Sequence, residues 1–456
     1  MFDSSPRPVK ISKPKFLKLD FKVLLILLLS LTFGIYGLSG GIVNAASTIV
    51  VTSSGDATAD DGVCTLREAI TAANDDTASG ATAGECIAGS GADTVNFSIP
   101  GSGIHRITPT TQLPTITETL NIDGTTQPGT NCEPRNLKIE LDFTAAYATQ
   151  NKARALSFER DVDNNVLQGL SIFGDSDGAA GGGQEDQGIT FNKSDGNTVR
   201  CNNIGLMADG KRPSVELGYT NNRAGLKLWV GSDNNLIGGN TLADRNIFSD
   251  NYEGMSNSCE ASGGGNMENL KIVGNYFGTD VTGMVAYPNK FIDASISCGD
   301  KIQIGGSSAG ERNIFSGSGS AVALSVSSTA GVGPTLGTRI QGNYFGLNAA
   351  GEVGVGFAEA NSAISIIVLP NSVFGNADSP NTESLIGGNV PGEGNVITGF
   401  VSGVNISTGY FDFGGGPIRS AFQPVDNSVI GNKIYGNDFG IELCDLNVGT
   451  GTGCLH

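Results

Sequence analysis

The chain has 456 residues, with 45 Asp and Glu, 27 Lys and Arg, two His and eight Cys. The formal net charge of −18 repels polyanions, which disfavours nucleic acid as a partner. Two histidines are too few for a zinc site built on several histidine ligands. A Ser-His-Asp triad would have to use His105 or the terminal His456.

The N-terminal segment, residues 1–45, has the order of features that marks a secretory signal peptide. A basic region precedes an apolar run from Val23 to Leu38, and a small-residue site, Val43-Asn44-Ala45, follows. We expect cleavage after Ala45. The alternative is an uncleaved membrane anchor through residues 21–43. Either form predicts export by the general secretory route and an extracellular or cell-surface location.

The exported part is more acidic than the whole chain, with 43 acidic and 21 basic residues. It contains all eight cysteines, and this even count suits an oxidising compartment. The pairing that we favour is Cys64 with Cys86. A Cys444–Cys454 pair is suggested by proximity alone, and the other four cysteines remain unassigned.

A short helix is predicted soon after the signal segment. Thr65 and Glu68 have the spacing of a capping box, in which each side chain bonds to the other residue's backbone N–H. The apolar face would consist of Leu66, Ala69, Ile70 and Ala73. A Cys64–Cys86 bridge would close a loop of about 20 residues, which stabilises by roughly 3 kcal/mol in the chain-entropy model. Such a small helix can bury little apolar surface, so it benefits from this bridge.

An acidic loop with Asp56, Asp60 and Asp61 precedes this helix. Carboxylate oxygens on a flexible loop are ligands that calcium prefers, so these residues form a candidate calcium site. The alternative is that they stabilise the helix N-terminus electrostatically. The loop lacks the regular alternation of an EF-hand. No other cofactor is predicted.

The string DGVCTLREAITAAN, from Asp61 to Asn74, resembles the CSLREA domain. That domain heads many exported bacterial proteins, usually ahead of a β-helix. Thr65 replaces the usual Ser and keeps a capping hydroxyl. The stretch from Leu113 to Gly129 also resembles the continuation of that family. The resemblance implies location and architecture, not chemistry, and it makes residues 46–92 an N-terminal cap region.

Residues 93–456 are repetitive and rich in Gly and Asn. One motif recurs at offsets of 67 and 82 residues, and a second recurs at 68. The copies of the first motif are LIGGNTLADRNIFSDN at 236–251, QIGGSSAGERNIFSGS at 303–318 and LIGGNVPGEGNVITGF at 385–400. The copies of the second are GNYFGTDVTG at 274–283 and GNYFGLNAAG at 342–351, and more divergent copies are CNNIGLMADG at 201–210 and GNKIYGNDFG at 431–440. Such self-similarity is typical of solenoids.

Alignment of the copies predicts which way each side chain points, because neighbouring residues of a strand face opposite sides. The inward set is Ile204, Phe277, Phe345 and Ile434, and the outward set is Asn203, Tyr276, Tyr344 and Lys433. Asparagines also recur before tight bends, at Asn246, Asn313 and Asn395. In stacked coils, equivalent asparagines can bond to one another as a ladder.

These features predict an all-β fold, a right-handed parallel β-helix with the short disulfide-bonded helix as its N-terminal cap. The repeats resemble those of the pectate-lyase-like class. The period is interpreted as three coils of about 22 residues, which gives fifteen or so coils and a stack of about 70 Å. A propeller, with a period of about 40–50 residues, fits less well. The C-terminus has no capping helix, so either the chain is truncated or a Cys444–Cys454 clip closes it.

We expect an exported, non-catalytic rod that is adhesive, structural or glycan-binding, with carbohydrate or another cell-surface component as its partner. The outward Tyr276 and Tyr344 are the candidate glycan contacts. The alternative is a polysaccharide lyase or hydrolase on the same fold, which is fold-level analogy. His105 is expected to be an ordinary, partly buried strand residue. The sequence therefore leaves enzymatic activity open, and it favours binding.

Overall fold

The structure is a computed structural model. It describes residues 45–150, 153–174, 186–213, 223–229, 231–258, 267–297, 299–316, 322–329, 336–353, 362–369, 383–408, 426–445 and 453–455. The chain forms two compact units, Met1–Ala45 and Ala46–His456, and every helix and strand described belongs to the second. The predicted export segment lies outside the described residues, apart from Ala45. None of the described helices is long and apolar enough to cross a bilayer.

Three long parallel sheets form the body of the protein. Sheet 1 consists of Thr48–Val51, Asp93–Phe97, Leu120–Asp123, Val166–Gln168, Thr198–Arg200, Leu236–Gly238, Lys271–Val273, Gln303–Gly305, Thr338–Gln341, Ser384–Gly387 and Ser428–Ile430. Sheet 2 consists of His105–Ile107, Ile139–Asp142, Leu170–Phe173, Asn203–Ile204, Ile247–Phe248, Tyr276–Phe277, Ile314–Phe315, Tyr344–Phe345, Val396–Ile397 and Lys433–Ile434. Sheet 3 consists of Arg154–Phe158, Gln187–Asn192, Ala224–Trp229, Glu253–Asn257, Ile292–Ser297, Val322–Thr329, Ser362–Leu369, Ser402–Thr408, Phe439–Asp445 and Gly453–Leu455.

Successive strands of each sheet belong to successive turns of the chain, so the fold is the predicted right-handed parallel β-helix. The remaining elements are small. The α-helices are Leu66–Asp75 and Thr144–Thr149, and the 3₁₀ helices are Gly124–Thr126, Leu242–Asp244 and Ala309–Glu311. Asn131–Cys132 pairs with Arg135–Asn136 in an antiparallel hairpin, and Met267–Glu268 pairs with Gly299–Asp300 in parallel.

The predicted length of a turn is wrong. Ile237 pairs with Ile272, 35 residues later, and Ile272 pairs with Ile304 after a further 32. The period of 67 therefore holds two turns, not three. The corner from sheet 1 to sheet 2 varies in length, with two residues between Val273 and Tyr276 and eight between Gly238 and Ile247. The connections on either side of sheet 3 also include long loops. Eleven strands in sheet 1, spaced at about 4.8 Å, make a stack of roughly 50 Å.

The interior is filled by columns of equivalent side chains. Phe248, Phe277, Phe315 and Phe345 are fully buried and stack with centroid distances of 4.9, 4.8 and 4.8 Å. These distances equal the spacing between strands, so each ring contacts the ring of the next turn. The predicted inward direction is confirmed, since Ile204 is also fully buried and Ile434 packs against the core.

A buried asparagine ladder lines the corner between sheets 1 and 2, as the sequence predicted. Its members are Asn202, Asn246, Asn275, Asn313, Asn343, Asn395 and Asn432. Each Nδ2 donates to the Oδ1 of the next asparagine over 2.8–3.2 Å. Each backbone N–H donates to the same oxygen. The ladder satisfies polar groups that a turn at this corner would otherwise leave unpaired.

The N-terminal helix caps the first turns. Thr65 and Glu68 form the predicted capping box, and the apolar face of the helix is buried. A disulfide joins Cys64 to Cys86. Thr48–Val51 pairs with Asp93–Phe97, so the cap region supplies the first strand of sheet 1.

Two further features concern cysteines. Cys132 is bonded to Cys201, a bridge that the sequence did not suggest, across 69 residues. At the other end of the stack, Cys444 is disulfide-bonded. The final strand, Gly453–Leu455, turns back antiparallel and places Cys454 opposite Cys444. The bridge between residues 132 and 201 ties a hairpin to the outer side of sheet 2.

Replacement of a central ladder residue should destabilise the fold more than replacement of a terminal one. Asn313→Ala removes hydrogen bonds to Asn275, Asn343 and Ile272 and leaves a buried N–H without an acceptor. We expect a loss of about 3 kcal/mol in the free energy of unfolding. The half-buried Asn432 is the matched control, and Asn432→Ala should cost about 1 kcal/mol because water can replace its bonds. Urea unfolding measures both, and equal losses would contradict a cooperative ladder.

Candidate functional site

The outer face of sheet 3 carries a shallow pocket with a volume of 240 Å³. The lining residues are Gln187, Arg223, Ala224, Lys227, Trp229, Glu253, Ser256 and Ser258. They come from three successive turns. Because the strands are parallel and in register, Lys227 lies between Thr190 and Ser256 on one outward row. The fold thus gathers residues that are far apart in the sequence.

Trp229 is the one tryptophan of the chain and is partly exposed in this pocket. Two cations lie over its ring, with Lys227 Nζ at 5.6 Å and Arg154 Cζ at 5.8 Å from the centroid. Such contacts stabilise the ring by the attraction of a cation to the π-face. The indole Nε1 is buried and has no acceptor among the described residues. Because this atom is buried, the site offers a ligand the aromatic surface of the ring and not the indole donor.

The Lys227 side chain is partly buried next to the Trp229 ring. Its Nζ donates to Ser256 Oγ over 3.1 Å and to the Asn257 carbonyl over 3.3 Å. Burial lowers the pKa of Lys227 from its usual value, the charge of Glu253 opposes this, and Arg223 adds to it. A lowered pKa makes the amine easier to deprotonate than an exposed lysine.

The rim of the pocket carries a network of opposite charges. Arg223 Nη2 lies 3.6 Å from Glu253 Oε1, and its guanidinium stacks 3.9 Å above the Tyr252 ring. Arg154, Arg223 and Lys227 bring three positive charges to this face. The pocket is thus a basic patch on an acidic protein. It suits polar ligands that also have an apolar face.

The predicted contact residues Tyr276 and Tyr344 do not form a stacking surface. They do project outward from the turns, but Tyr276 is only 8% exposed and Tyr344 is half-buried. They belong to a second apolar cluster, in which Ile247 and Ile314 come from neighbouring strands and Leu206, Val281, Tyr287 and Ala349 come from loops. At Gly283, which has a φ of +73°, an added Cβ would lie 2.5 Å from the Tyr276 ring. A strand pattern does not show which loops fold back over an outward row, so the role of these tyrosines as glycan contacts stays a prediction.

Asp56, Asp60 and Asp61 are not gathered into a single site. Asp56 is paired with Arg67 over 2.9 Å, and Asp61 Oδ1 accepts from the Val63 amide. Hydrogen bonds from Thr82 and Ala81 lower the pKa of Asp60. Within the described residues, no group of three or more His, Cys, Asp or Glu is placed to hold a metal ion. The arrangement gives the calcium hypothesis no support and shows these carboxylates stabilising their own loop.

His105 begins the first strand of sheet 2 and is half-buried. Its Nε2 is buried and has no partner among the described residues. It lies on a different sheet from the pocket around Trp229. This matches an ordinary strand position.

Sheet 1 also carries grooves on its outer face. Two adjoining grooves, of 640 and 320 Å³, share Gln303. The charged residues that line them are Arg200, Asp244, Lys271, Lys301, Glu311, Arg339, Glu383 and Asp426. The lining residues include no aromatic side chain. The grooves therefore lack the stacking surface that distinguishes the pocket on sheet 3.

No protein-family model matches the chain, so the resemblance of residues 61–74 to the CSLREA domain stays a prediction. No curated protein matches the sequence either. Among solved structures, the chain is similar to the Dettilon tailspike protein, with a TM-score of 0.38, 11% identity and coverage of 76% of this chain and 62% of that one. It is also similar to ORF18 of Geobacillus virus E2, with a TM-score of 0.26, 11% identity and coverage of 80% and 56%. The chain spans roughly three fifths of the length of these proteins.

The lowered pKa of Lys227 predicts a pH-dependent contribution to stability. The unfolded chain holds this proton more tightly than the folded protein does. Stability therefore rises with pH between the folded pKa and the ordinary value of 10.5. Lys227→Met lacks this dependence, so the wild type should gain stability relative to the variant as the pH rises from 7 toward 10.5.

Urea unfolding at pH 7, 8.5 and 10 measures this difference. Lys271→Met removes an exposed amine on sheet 1 and gives the background effect of losing a lysine. A gap between the wild type and Lys227→Met that stays constant over this range would show that burial does not lower the pKa of the amine.

Proposed function

We propose that this protein is an exported, non-catalytic glycan-binding rod, and that it contacts its ligand through the pocket around Trp229. The observation that carries the proposal is the partly exposed indole ring beside polar groups on a rigid sheet. Sugar rings present an apolar C–H face and a polar rim. Such a surface packs against an aromatic ring while the hydroxyls bond to neighbouring donors and acceptors.

The polar groups around the ring suit this role. The Trp229 Nε1 is buried, so the donors and acceptors within reach of a sugar come from the neighbouring side chains of the pocket. Glu253 supplies acceptors, and Ser256 and Ser258 supply hydroxyls. Placement on adjacent strands keeps these groups in position, which lowers the entropic cost of binding.

Location at the cell surface is part of the same proposal. The signal-peptide pattern of residues 1–45 and the disulfides Cys64–Cys86 and Cys132–Cys201 support it. Disulfides persist in oxidising compartments. A stack of parallel turns presents repeated outer faces along its length, which suits attachment to an extended polymer.

A polysaccharide lyase is the second candidate, and one observation favours it. Lys227 has a lowered pKa and lies in the pocket beside Arg223 and Glu253. A buried amine of this kind can act as the base that removes a proton next to a carboxylate group. Cleavage of a polymer, as opposed to retention, separates this candidate from the binding rod.

The test measures retention of the purified protein on a panel of neutral and uronate-containing polysaccharides, with and without calcium. Trp229→Ala should weaken binding to the retained polymer about tenfold or more, since it removes the aromatic surface. Tyr435→Ala is the matched control. That side chain is 40% exposed on the last turn, with a lysine 4.8 Å from its ring, and it lies outside the pocket.

Cleavage is followed in the same samples through chain length and unsaturated-uronate absorbance. Retention that is lost with Trp229→Ala and kept with Tyr435→Ala supports the proposal. Retention that both variants keep would place the contact elsewhere. Cleavage that Lys227→Met abolishes would replace the binding rod with the lyase.

A further inference from the structure

A disulfide-tethered hairpin covers part of the outer face of sheet 2. Its strands are Asn131–Cys132 and Arg135–Asn136, and Cys132 is bonded to Cys201 just before the strand Asn203–Ile204. The bridge is buried together with Leu137 and Ala208. The hairpin therefore holds Arg135 against the sheet.

Arg135 is placed beside a second arginine. Its Nη1 donates to Asn203 Oδ1 over 3.2 Å, and its Nη2 donates to the backbone carbonyl of Arg245. Arg245 is itself only 8% exposed, and its guanidinium stacks 3.9 Å from the centre of the Tyr276 ring. The Nε of Arg245 is buried and has no partner in the described part of the chain.

Among the residues that the structure describes, no carboxylate is ion-paired with either of the two positive charges. No described Asp or Glu forms an ion pair with Arg135 or Arg245. The charge of Glu133, an exposed residue of the same hairpin, acts on both arginines. Burial and the charge of Arg245 lower the pKa of Arg135 to about 9, so Arg135 is still charged near neutral pH. Burying unpaired charges is costly, and proteins normally pair them.

The next repeat shows that stacking on tyrosine does not require this arrangement. Arg312 occupies the position equivalent to Arg245, 67 residues later, and stacks 4.1 Å from the Tyr344 ring. Its Nε donates to the Gly342 carbonyl over 3.0 Å. Arg245 has no such bond, and it has a second arginine beside it. The Arg135–Arg245 pair therefore differs from the structural motif of the repeat.

We propose that Arg135 and Arg245 form a binding site for an oxyanion, either a free sulfate or phosphate ion or the corresponding ester group on a sugar. Two guanidinium groups present several N–H donors to one tetrahedral anion and neutralise its charge. Arg135 is half-buried, so the anion enters the site past this residue. This inference is independent of the pocket around Trp229.

Isothermal titration calorimetry with sodium sulfate, at constant ionic strength adjusted with chloride, tests the site on the full chain. The wild type should bind one sulfate, and sulfate should raise its unfolding temperature. Arg135→Gln keeps a donor near Asn203 and removes one charge. It should weaken sulfate binding about tenfold to a hundredfold. Arg312→Gln is the matched control and should bind sulfate as the wild type does.

A folding defect is distinguished by unfolding in chloride alone. Arg135→Gln should then be as stable as the wild type or more stable, because it removes repulsion between like charges. Arg245→Gln is the second variant and should lose sulfate binding as well. Sulfate that raises the unfolding temperature equally in the wild type and both variants acts by general exclusion from the protein surface. That result, or the absence of binding to the wild type, would overturn the proposal.

The source of the anion is resolved by competition. Glucose 6-sulfate and glucose 6-phosphate are titrated against bound sulfate, with glucose as the blank. Displacement by the esters and not by glucose supports a sugar-borne anion. Sulfate binding that the esters do not displace supports a free ion at the same two arginines.

Discussion

The structure depends on in-register parallel pairing of successive turns. Backbone hydrogen bonds hold neighbouring strands at about 4.8 Å, and this single spacing places every side chain directly beside its equivalent in the next turn. Phe277 lies 4.8 Å from Phe315 for this reason. Asn275 likewise lies within hydrogen-bonding distance of Asn313. A side chain that packs well in its column is stabilised by the equivalent residues of both neighbouring turns. Further copies of the same repeat can therefore lengthen the stack.

The same pairing arranges the outward side chains in rows. The loops that pack against a row then determine whether it is buried or exposed. On sheet 2, loops cover the row that contains Tyr276, and the tyrosine becomes a packing residue. On sheet 3, the row that contains Lys227 borders a pocket of 240 Å³, and Trp229 remains partly exposed. Both rows lie on parallel strands that pair in register. The difference between a buried support and a binding surface is therefore a property of the connections.

Charge distribution shows a similar division between the whole chain and its parts. The chain has a net charge of −18, yet positive charge is concentrated in two regions of the protein. One is the pocket of sheet 3, where Glu253 partly balances Arg223. The other is the Arg135–Arg245 pair, where no described carboxylate forms an ion pair with either residue. A basic locality on an acidic surface concentrates the field in a small region and favours an anionic group there.

The sequence by itself determined the class of fold, the inward column that includes Phe277, the asparagine ladder and the capping box of Thr65 and Glu68. These follow from local periodicity and spacing, which the chain carries in every copy of its repeat. The number of turns was not determined, because a period of 67 divides into two turns or three according to how much of it lies in loops.

Only the tertiary structure decided which outward residues are accessible and which distant ones meet. Tyr276 is covered by residues of a loop, Cys132 is joined to Cys201 across 69 positions, and Arg135 contacts Arg245 across 110. The contacts of Cys132 and Arg135 leave no periodic trace, because each is made once and between segments without a repeat. Alternation within a strand reports the direction of a side chain. Its exposure depends on where the rest of the chain returns.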